Sequence, residues 1–540
     1  MFDRSLRFAL LSCLFVSAIG CGGGGNSSGN TTTTPPPAPT ITSVAVTCSA
    51  TAITTSQTAT CTSTVSGTGS YSSAVTWIVN PSNMGTVTSA GVYTPSGMGL
   101  AYVVACSTQD SQICNNQAVV SAAPPAPQWV SYVQAQANPI QSIDASNTDY
   151  SDLAFLEPIL QGRDIVELGE SGHGVAEFSQ AKIRLIKYLH EQLGYDVIAF
   201  ESSILSCYLA NEQSSQLTPK AFMQNSVFAV WSTTDVENLF SYIQSTQTTA
   251  HPLTLAGFDV QLTTPYEEQN RPTIFQQVVG QVDPTYAQQV YTMDQTFILN
   301  SGQNSYILAN YSDLKTKYQA LTAFLDANMT QIQKAYPTRP LFPTVVRQAA
   351  WGMSAYLDEL NDMALSTSGN YVDSNSPRDA GMATNLELLV DNLYAGKKVM
   401  VWAHNAHIMH NGSSYNNDDF ENMGSYIFSR YGTRVYTLGL YMYQGSAIFN
   451  TGGVWVPSEV YTIPPASAVS VEGLLHTAGD PFVFLDLSEV PGSSDETAWM
   501  YENYPIREWG VEQGEMIVTS EYDGILQIDT VHPPAFVSSN

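Results

Sequence analysis

The chain has 540 residues, which is too long for a single hydrophobic core, so its length predicts two or three domains. Its 47 acidic residues outnumber its 19 lysines and arginines, and the net charge of −28 excludes nucleic acid and anionic lipid as partners bound through bulk charge. Beyond residue 21, no stretch is apolar for long enough to predict a membrane-spanning helix.

Residues 1–21 are typical of a bacterial export signal. Two arginines precede an apolar stretch over residues 8–19, which is too short to span a bilayer. The stretch leads to Cys21, which resembles the lipidated cysteine of a lipobox; an ordinary cleaved signal with a chance cysteine is the alternative. The Gly-, Ser-, Thr- and Pro-rich linker over 22–39 suits a tether. We therefore expect an exported envelope protein that meets the outer membrane or cell surface only through a lipid anchor.

Residues 40–122 predict a small β-sandwich. They contain short alternating runs rich in Thr, Val and Ser, and turn residues separate these runs. The stretch 75–80, followed by 91–95, resembles bacterial immunoglobulin-like domains. Asp110 is the only charged residue of the region, so the region lacks acid–base groups. This composition indicates a spacer or a weak adhesion module.

The cysteines of this region predict two disulfides, because an exported domain this small is commonly cross-linked. The favoured pairs are Cys48 with Cys61 and Cys106 with Cys114, since each pair could face across adjacent strands. A bridge between Cys61 and Cys106 is the immunoglobulin-like alternative. We expect Cys207, which stands alone in the sequence, to be a buried free thiol.

Residues 128–540 predict an α/β domain with a mainly parallel sheet flanked by helices, because strand-like apolar runs alternate with helical periodicity. The segment 268–395 is too long for one crossover and predicts a large helical insertion beside a substrate cleft. The predicted strands are 165–168, 197–200, 253–258, 399–403, 435–440 and 482–485. Helical periodicity is found near 177–189, 284–298, 311–334, 341–364 and 378–394.

Titratable residues follow five of these predicted strands. In an open parallel sheet, ligands bind outside the carboxyl ends of the strands. We therefore expect these side chains to meet at one edge of the sheet and to form a site. They are Glu170 and His173, Glu201, Asp259, His404 and His407, and Asp486.

The sequence around these positions resembles the erythromycin esterase family. Residues 169–174, Gly-Glu-Ser-Gly-His-Gly, match the family's Gly-Glu-x-x-His-Gly signature, and further blocks follow in family order at 184–201, 257–261, 378–385 and 401–407. The resemblance implies an ester hydrolase, acting on a macrolactone such as a macrolide antibiotic, with neither metal nor cofactor. A small-molecule ester is therefore the expected partner.

Carried over by position, the resemblance makes His173 the general base that activates water. Glu170 and Glu201 are its implied acidic partners, and His404 and His407 form a second histidine pair. The residue types agree, because imidazole titrates near neutrality and a nearby carboxylate raises its basicity and fixes its tautomer.

Three further residues are expected to contact the substrate. Lys182 stands where many members of the family have an arginine, and it keeps the charge without the bidentate fork. Asp259 and Arg378 lie in family blocks, and a buried ion pair between them is an equally good interpretation.

Two other functions remain open on the sequence alone. A metal-dependent hydrolase would use His404 and His407 as ligands, with Glu170 or Glu201 as the third. A non-catalytic surface protein would bind or adhere through the β-sandwich. A serine nucleophile is not supported, because no Gly-x-Ser-x-Gly motif is present.

Overall fold

The computed structural model describes residues 39–366, 375–412, 421–448 and 459–538. The predicted signal with Cys21, and the linker up to residue 38, lie outside the described residues. No helix in the described ranges combines the length and the apolar character needed to cross a membrane.

The N-terminal region consists of two four-stranded sheets that share one apolar core. The sheets have the strand orders β1-β3-β6-β5 and β2-β8-β7-β4. The bounds are β1 Thr40–Cys48, β2 Ala52–Thr54, β3 Ala59–Thr68, β4 Val75–Asn80, β5 Gly85–Val87, β6 Val92–Pro95, β7 Gly99–Ser107 and β8 Cys114–Ala122. The resemblance of this region to immunoglobulin-like domains stays a prediction.

Both disulfides of this region join residues that face each other on paired strands. Cys48 of β1 is bonded to Cys61 of β3, and Cys106 of β7 is bonded to Cys114 of β8. This is the pairing favoured in the sequence analysis rather than the Cys61–Cys106 alternative. Cys207 is buried with a free thiol.

The remainder of the chain is a mixed α/β structure built around a nine-stranded sheet, as the sequence predicts for the class. The strand order is β12-β11-β13-β10-β14-β19-β16-β9, with β15 paired to β14. The bounds are β9 Asn138–Pro139, β10 Ile165–Leu168, β11 Val197–Ser203, β12 Thr254–Asp259, β13 Val399–Trp402, β14 Val435–Ile448, β15 Val460–Ile463, β16 Phe482–Asp486 and β19 Gly524–Val531. A separate hairpin consists of β17 Tyr504–Glu508 and β18 Glu512–Met516.

The strands from β12 to β19 along this order pair in parallel and are buried on both faces. Alternate residues of β10 enter different cores: Ile165 packs into one apolar cluster, and Val166 and Leu168 pack into the other. This explains why every residue of the strand is buried, Glu167 included, instead of buried and exposed residues alternating. Because both faces of the central strands are packed, the positions of the strand ends and of the residues that follow them are fixed.

Helices cover both faces of the sheet, and five of them, α7 to α11, form the predicted helical insertion. The helices are α1 Pro127–Gln136, α2 Leu156–Ile159, α3 Ala176–Leu193, α4 Ile204–Glu212, α5 Pro219–Ser226, α6 Thr234–Thr246, α7 Pro265–Val279, α8 Pro284–Asn300, α9 Asn304–Ala335, α10 Phe342–Ser366, α11 Asn375–Leu388, α12 Asn405–Ile408, α13 Met423–Tyr431, α14 Val471–His476 and α15 Val518–Glu521.

One predicted member of the site lies elsewhere. Strand β16 runs antiparallel to β19, and Asp486 pairs with Gly524 at the start of β19. There the hydroxyl of Tyr436, near the start of β14, donates to Asp486 at 2.9 Å. The prediction that Asp486 joins the other strand-end residues is wrong, because an apolar run does not reveal the direction of its strand.

The helix that follows the first motif is anchored by a buried ion pair. Arg184 of α3 donates two hydrogen bonds to Asp152, at 2.5 and 3.0 Å, and both side chains are almost fully buried. Removal of the arginine leaves a buried carboxylate without its cation.

We predict that Arg184→Ala lowers the free energy of unfolding by about 3 kcal/mol or more, measured by urea denaturation. The control Lys317→Ala removes an exposed ion pair with Asp313 on α9 and should cost no more than about 0.5 kcal/mol. Equal losses in the two variants would show that burial adds nothing to the Arg184 pair.

Candidate active site

The carboxyl ends of β10, β11, β12 and β13 bring six predicted residues to one edge of the sheet. Glu170 and His173 follow β10, Glu201 is near the end of β11, Asp259 ends β12, and His404 and His407 follow β13. They form two connected clusters, which we call the Glu170 cluster and the Glu201 cluster. The Glu170 cluster also contains His173, Lys182 and Trp231, and the Glu201 cluster also contains Asp259, Arg378, Asp379 and His407.

In the Glu170 cluster, both carboxylate oxygens of Glu170 are occupied. Oε1 lies 2.6 Å from Nδ1 of His173 and accepts a hydrogen bond from the indole N–H of Trp231 at 2.8 Å. Oε2 lies 2.8 Å from the ammonium of Lys182. Each contact favours the ionised carboxylate, so the group remains charged in spite of its burial.

The pKa of Glu170 depends on the balance between its burial and these contacts. Burial alone raises the pKa, but the charge of Lys182 and the hydrogen bond from His173 outweigh burial and lower the pKa to about 2. An ionised carboxylate has no proton to donate, so Nδ1 of His173 carries the shared proton. In the neutral ring, Nε2 is then the unprotonated nitrogen and can accept a proton.

Aromatic rings enclose the His173 imidazole. Trp231, His404 and Trp509 each lie with their ring centroids 5.2 to 5.4 Å from the centroid of His173, and all three contacts are edge-on. The side chain of His173 is nevertheless 18% exposed, against 3% for Glu170. His173 is therefore the member of its cluster that faces solvent, and its ring orientation is set by packing as well as by Glu170.

In the Glu201 cluster, Arg378 of α11 joins two carboxylates. Its guanidinium lies 2.7 Å from Glu201 and 2.5 Å from Asp259. The second oxygen of Glu201 accepts the backbone N–H of His404 at 2.9 Å. Asp259 and Arg378 thus form a buried ion pair, which is one of the two interpretations of these residues in the sequence, and Arg378 also links α11 to β11 and β12.

His407 carries a charge in this cluster. Its Nδ1 lies 2.8 Å from Asp379, and its Nε2 lies 3.3 Å from Glu201. Burial alone lowers the pKa of His407, but the two carboxylates outweigh burial and raise the pKa to about 10. Protonated at neutral pH, with both ring nitrogens engaged, His407 orients Glu201 and is not a base.

His404 has a different environment. Its Nδ1 accepts the backbone N–H of Ala406 at 3.1 Å, so its proton is on Nε2. Burial, with His173 and His407 nearby, holds its pKa well below the ordinary histidine range. Nε2 is buried and lies 4.0 Å from Glu508, whose pKa burial raises well above its usual range. His404 therefore has a buried N–H donor near Glu508, and its catalytic role stays a prediction.

Lys182 also differs from expectation. Its side chain is fully buried, contacts Glu170, donates to the backbone oxygen of Ala403 at 3.2 Å and lies over the ring of Trp402. This burial does not favour the predicted contact with the substrate, which stays a prediction; the ammonium of Lys182 favours the ionised form of Glu170. A compact ammonium suits this enclosed position, because the neighbouring acceptors require no bidentate fork.

The metal alternative requires ligands that these residues do not present together. In the part of the chain that the structure describes, no group of three or more His, Cys, Asp or Glu side chains is arranged to hold a metal ion. Both ring nitrogens of His407 and Nδ1 of His404 are already engaged in hydrogen bonds within the protein.

Four residues of the site were not predicted from the sequence. Trp231 and Trp509 approach His173 from distant parts of the chain, and no local pattern marks them. Glu508 precedes Trp509 on the same hairpin. Asp379 was visible as the neighbour of Arg378 in a family block, but its partner His407 could be assigned only once α11 and α12 were placed together.

Comparisons with known proteins show the family of the chain. The sequence pattern of the erythromycin esterases matches residues 190–531. The chain belongs to the erythromycin esterase family. The matched range starts after Glu170 and His173 and contains the whole Glu201 cluster.

Two relatives in the erythromycin esterase family align with the chain over very different lengths. YbfO of Bacillus subtilis (strain 168), which is named as a hydrolase, is 33% identical over 424 residues, 76% of this chain and 92% of YbfO. Erythromycin esterase type I of Escherichia coli is 34% identical over 64 residues, 12% of this chain and 16% of that protein.

Solved structures share the fold. A Bacillus cereus protein superimposes with a TM-score of 0.64 at 17% identity, covering 77% of this chain and 100% of its own. A succinoglycan biosynthesis protein gives 0.59 at 17% identity, covering 76% and 98%. A mutant of the erythromycin esterase EreC, in its open conformation, gives 0.57 at 15% identity, covering 74% and 98%.

The charge on His407 predicts a pH dependence of stability. Because folding raises its pKa from the ordinary 6.5 to about 10, its contribution is complete below pH 6.5 and is lost as the pH rises toward 10. In His407→Gln, we expect a lower urea midpoint than wild type at pH 6.5 and a smaller further loss up to pH 10. The exposed control His251→Gln should follow the wild-type curve. Parallel curves for wild type and His407→Gln would contradict a charged His407.

Proposed function

We propose that this family member hydrolyses a carboxylic ester with water activated by His173, and that a macrolactone such as a macrolide antibiotic is its substrate. The observation that carries the proposal is the 2.6 Å contact between Nδ1 of His173 and ionised Glu170. This contact leaves Nε2 as the proton acceptor on a ring that is partly exposed.

The proton then moves as follows. Nε2 of His173 takes a proton from water as the water oxygen bonds to the ester carbonyl carbon. The imidazolium that forms is stabilised by the charge of Glu170. When the tetrahedral intermediate collapses, the carbon–oxygen bond to the alcohol breaks, and the imidazolium returns the proton to the departing alkoxide. The products are a carboxylic acid and an alcohol, and His173 is regenerated.

The turn that carries His173 is suited to a developing negative charge on the carbonyl oxygen. Gly174 has φ +77°, and a Cβ there would lie 2.2 Å from the backbone oxygen of Ile448. A glycine is therefore required for this tight turn at the start of α3. We propose that backbone amides of the turn, beside the positive end of α3, stabilise the oxyanion.

The substrate class draws support from the relatives rather than from the site. The Escherichia coli relative is named an erythromycin esterase, and YbfO is named a hydrolase. The predicted lipid anchor at Cys21 would place the enzyme in the cell envelope, where an antibiotic meets it before the cytoplasm. Both the macrolide and the location are proposals.

Incubation of a macrolide panel with the purified protein, followed by mass spectrometry, tests this proposal. We expect the mass of one water to be added to at least one macrolide. His173→Ala should slow this by at least about a hundredfold, because it removes the base. The exposed control His251→Ala should retain the wild-type rate.

Three outcomes would redirect the proposal. Hydrolysis of other esters but of no macrolide would contradict the substrate class and retain the chemistry. Activity abolished by EDTA and restored by zinc would favour a metal-dependent hydrolase. Full activity in His173→Ala would remove His173 as the base, and with it the proposed mechanism.

A further inference from the structure

The β17–β18 hairpin reaches the Glu170 cluster with its tip, where Trp509 has a backbone conformation that is rare for a large side chain. Its φ is +56°, the only positive φ of a non-glycine residue among the described positions. The backbone N–H of Trp509 donates to the backbone oxygen of Ser171 at 2.5 Å, and the backbone oxygen of Trp509 accepts a hydrogen bond from the hydroxyl of Tyr461 at 2.8 Å. Such a conformation persists only where the surroundings impose it.

The indole of Trp509 fixes the space available to His173. It stacks on His404 with a centroid distance of 5.3 Å and meets the edge of His173 at 5.4 Å. It also fills the position that a side chain on Gly172 would need, since a Cβ there would lie 2.9 Å from the indole. Displacement of the hairpin tip would therefore free the turn that carries His173.

The hairpin cannot supply this rigidity alone. Its strands form a separate two-stranded sheet that is not part of the nine-stranded one. An isolated two-stranded hairpin is marginally stable in water, so its order depends on what packs against it. Within the α/β structure the hairpin packs against α14 and against α1, where Tyr504 meets Trp129 edge-on. Its remaining contacts include β7 and β8 of the N-terminal β-sandwich.

The β-sandwich contacts the hairpin through apolar and polar groups. Ala122, at the end of β8, belongs to the same buried apolar cluster as Tyr504, Ile506 and Met516 of the hairpin. The hydroxyl of Thr51 donates to the side chain of Gln513 at 3.3 Å.

Two more hydrogen bonds strengthen the contact between the β-sandwich and the rest of the chain. The backbone N–H of Leu100 in β7 donates to Glu515 of β18. Ser467 donates to the backbone oxygen of Ala52 at 3.0 Å. The amide of Gln513 in turn donates to the backbone oxygens of Ile506 and Gly514, so the residue that Thr51 contacts also ties the two hairpin strands together.

We propose that the N-terminal β-sandwich is a positioning domain for the active site, which holds the β17–β18 hairpin so that Trp509 fixes the imidazole of His173. Trp509 is a positioning residue in this account, because it acts through His173 and His404. The sandwich is then part of the working enzyme rather than the spacer or adhesion module expected from its composition. The proposal depends on the proposed function only in taking His173 as the base.

Two measurements that need no substrate test this proposal. Hydrogen exchange followed by mass spectrometry reports the order of residues 504–516. Carbethoxylation of His173 by diethylpyrocarbonate, followed by peptide mapping over a range of pH, reports the accessibility and titration of its imidazole. Because neither measurement involves an ester substrate, failure of the proposed function would leave both readable.

The variants test the contribution of the sandwich contact and that of the Trp509 indole separately. Thr51→Asp places a charge at the sandwich surface facing Gln513, and Gln513→Ala removes the hairpin side of the same contact. Trp509→Ala removes the indole, and Trp509→Phe keeps an aromatic ring there. Thr62→Asp is the matched control, because Thr62 is an exposed residue of β3 away from the hairpin.

We expect Thr51→Asp and Gln513→Ala to increase exchange over 504–516 by about threefold or more, while exchange in β1 and β3 stays at the wild-type level. Both variants should also change the rate and the pH midpoint of His173 carbethoxylation in the same direction as Trp509→Ala. Trp509→Phe should restore much of the wild-type behaviour, and Thr62→Asp should match wild type.

Two results would overturn the proposal. Folded Thr51→Asp and Gln513→Ala proteins with wild-type exchange over 504–516 would show that the sandwich does not hold the hairpin. Faster exchange of the hairpin with an unchanged pH profile of His173 would show that the hairpin does not position the imidazole.

Discussion

A carboxylate that is buried and still ionised needs neighbouring cations and N–H donors to compensate its charge. The active site depends on the groups that do this for Glu170. Lys182 comes from α3, Trp231 from the turn before α6, and His173 from the turn after β10. Without Lys182, burial would favour the protonated form of Glu170. A protonated Glu170 could itself donate to Nδ1 of His173, so the tautomer of His173 would no longer be fixed. The base therefore exists only when these distant segments are folded together.

The Glu201 cluster has a different task, which is to hold the walls of the site together. Arg378 and the imidazolium of His407 compensate the carboxylates at the ends of β11 and β12, and Asp379 completes the pairing on α11. Glu201 also accepts the backbone N–H of His404, so β11 and the segment after β13 cannot separate freely. One cluster thus sets the chemistry of the base, and the other fixes the helical insertion against the sheet.

The sequence predicted the strand-end residues because their positions follow from local patterns and from the rule that parallel strands end at one edge. That reasoning placed Glu170, His173 and Glu201 together, and it failed for Asp486, because the direction of a strand is a tertiary property. The sequence also did not reveal which polar side chains are buried: Lys182 was expected to contact the substrate, and its ammonium is fully buried and paired with Glu170. Trp509 could not be predicted at all, since only the folded hairpin brings it to His173.

The tautomer of His173 tests the central claim most directly. NMR of the ring nitrogens in nitrogen-labelled protein, with His173→Gln to assign the signals, distinguishes a protonated from an unprotonated nitrogen. In the neutral ring, we predict a proton on Nδ1 and an unprotonated Nε2, and Glu170→Gln should weaken this preference, because an amide can also donate to Nδ1. A neutral His173 with its proton on Nε2 in the wild-type protein would contradict the account, since Nε2 of that ring could not take a proton from water.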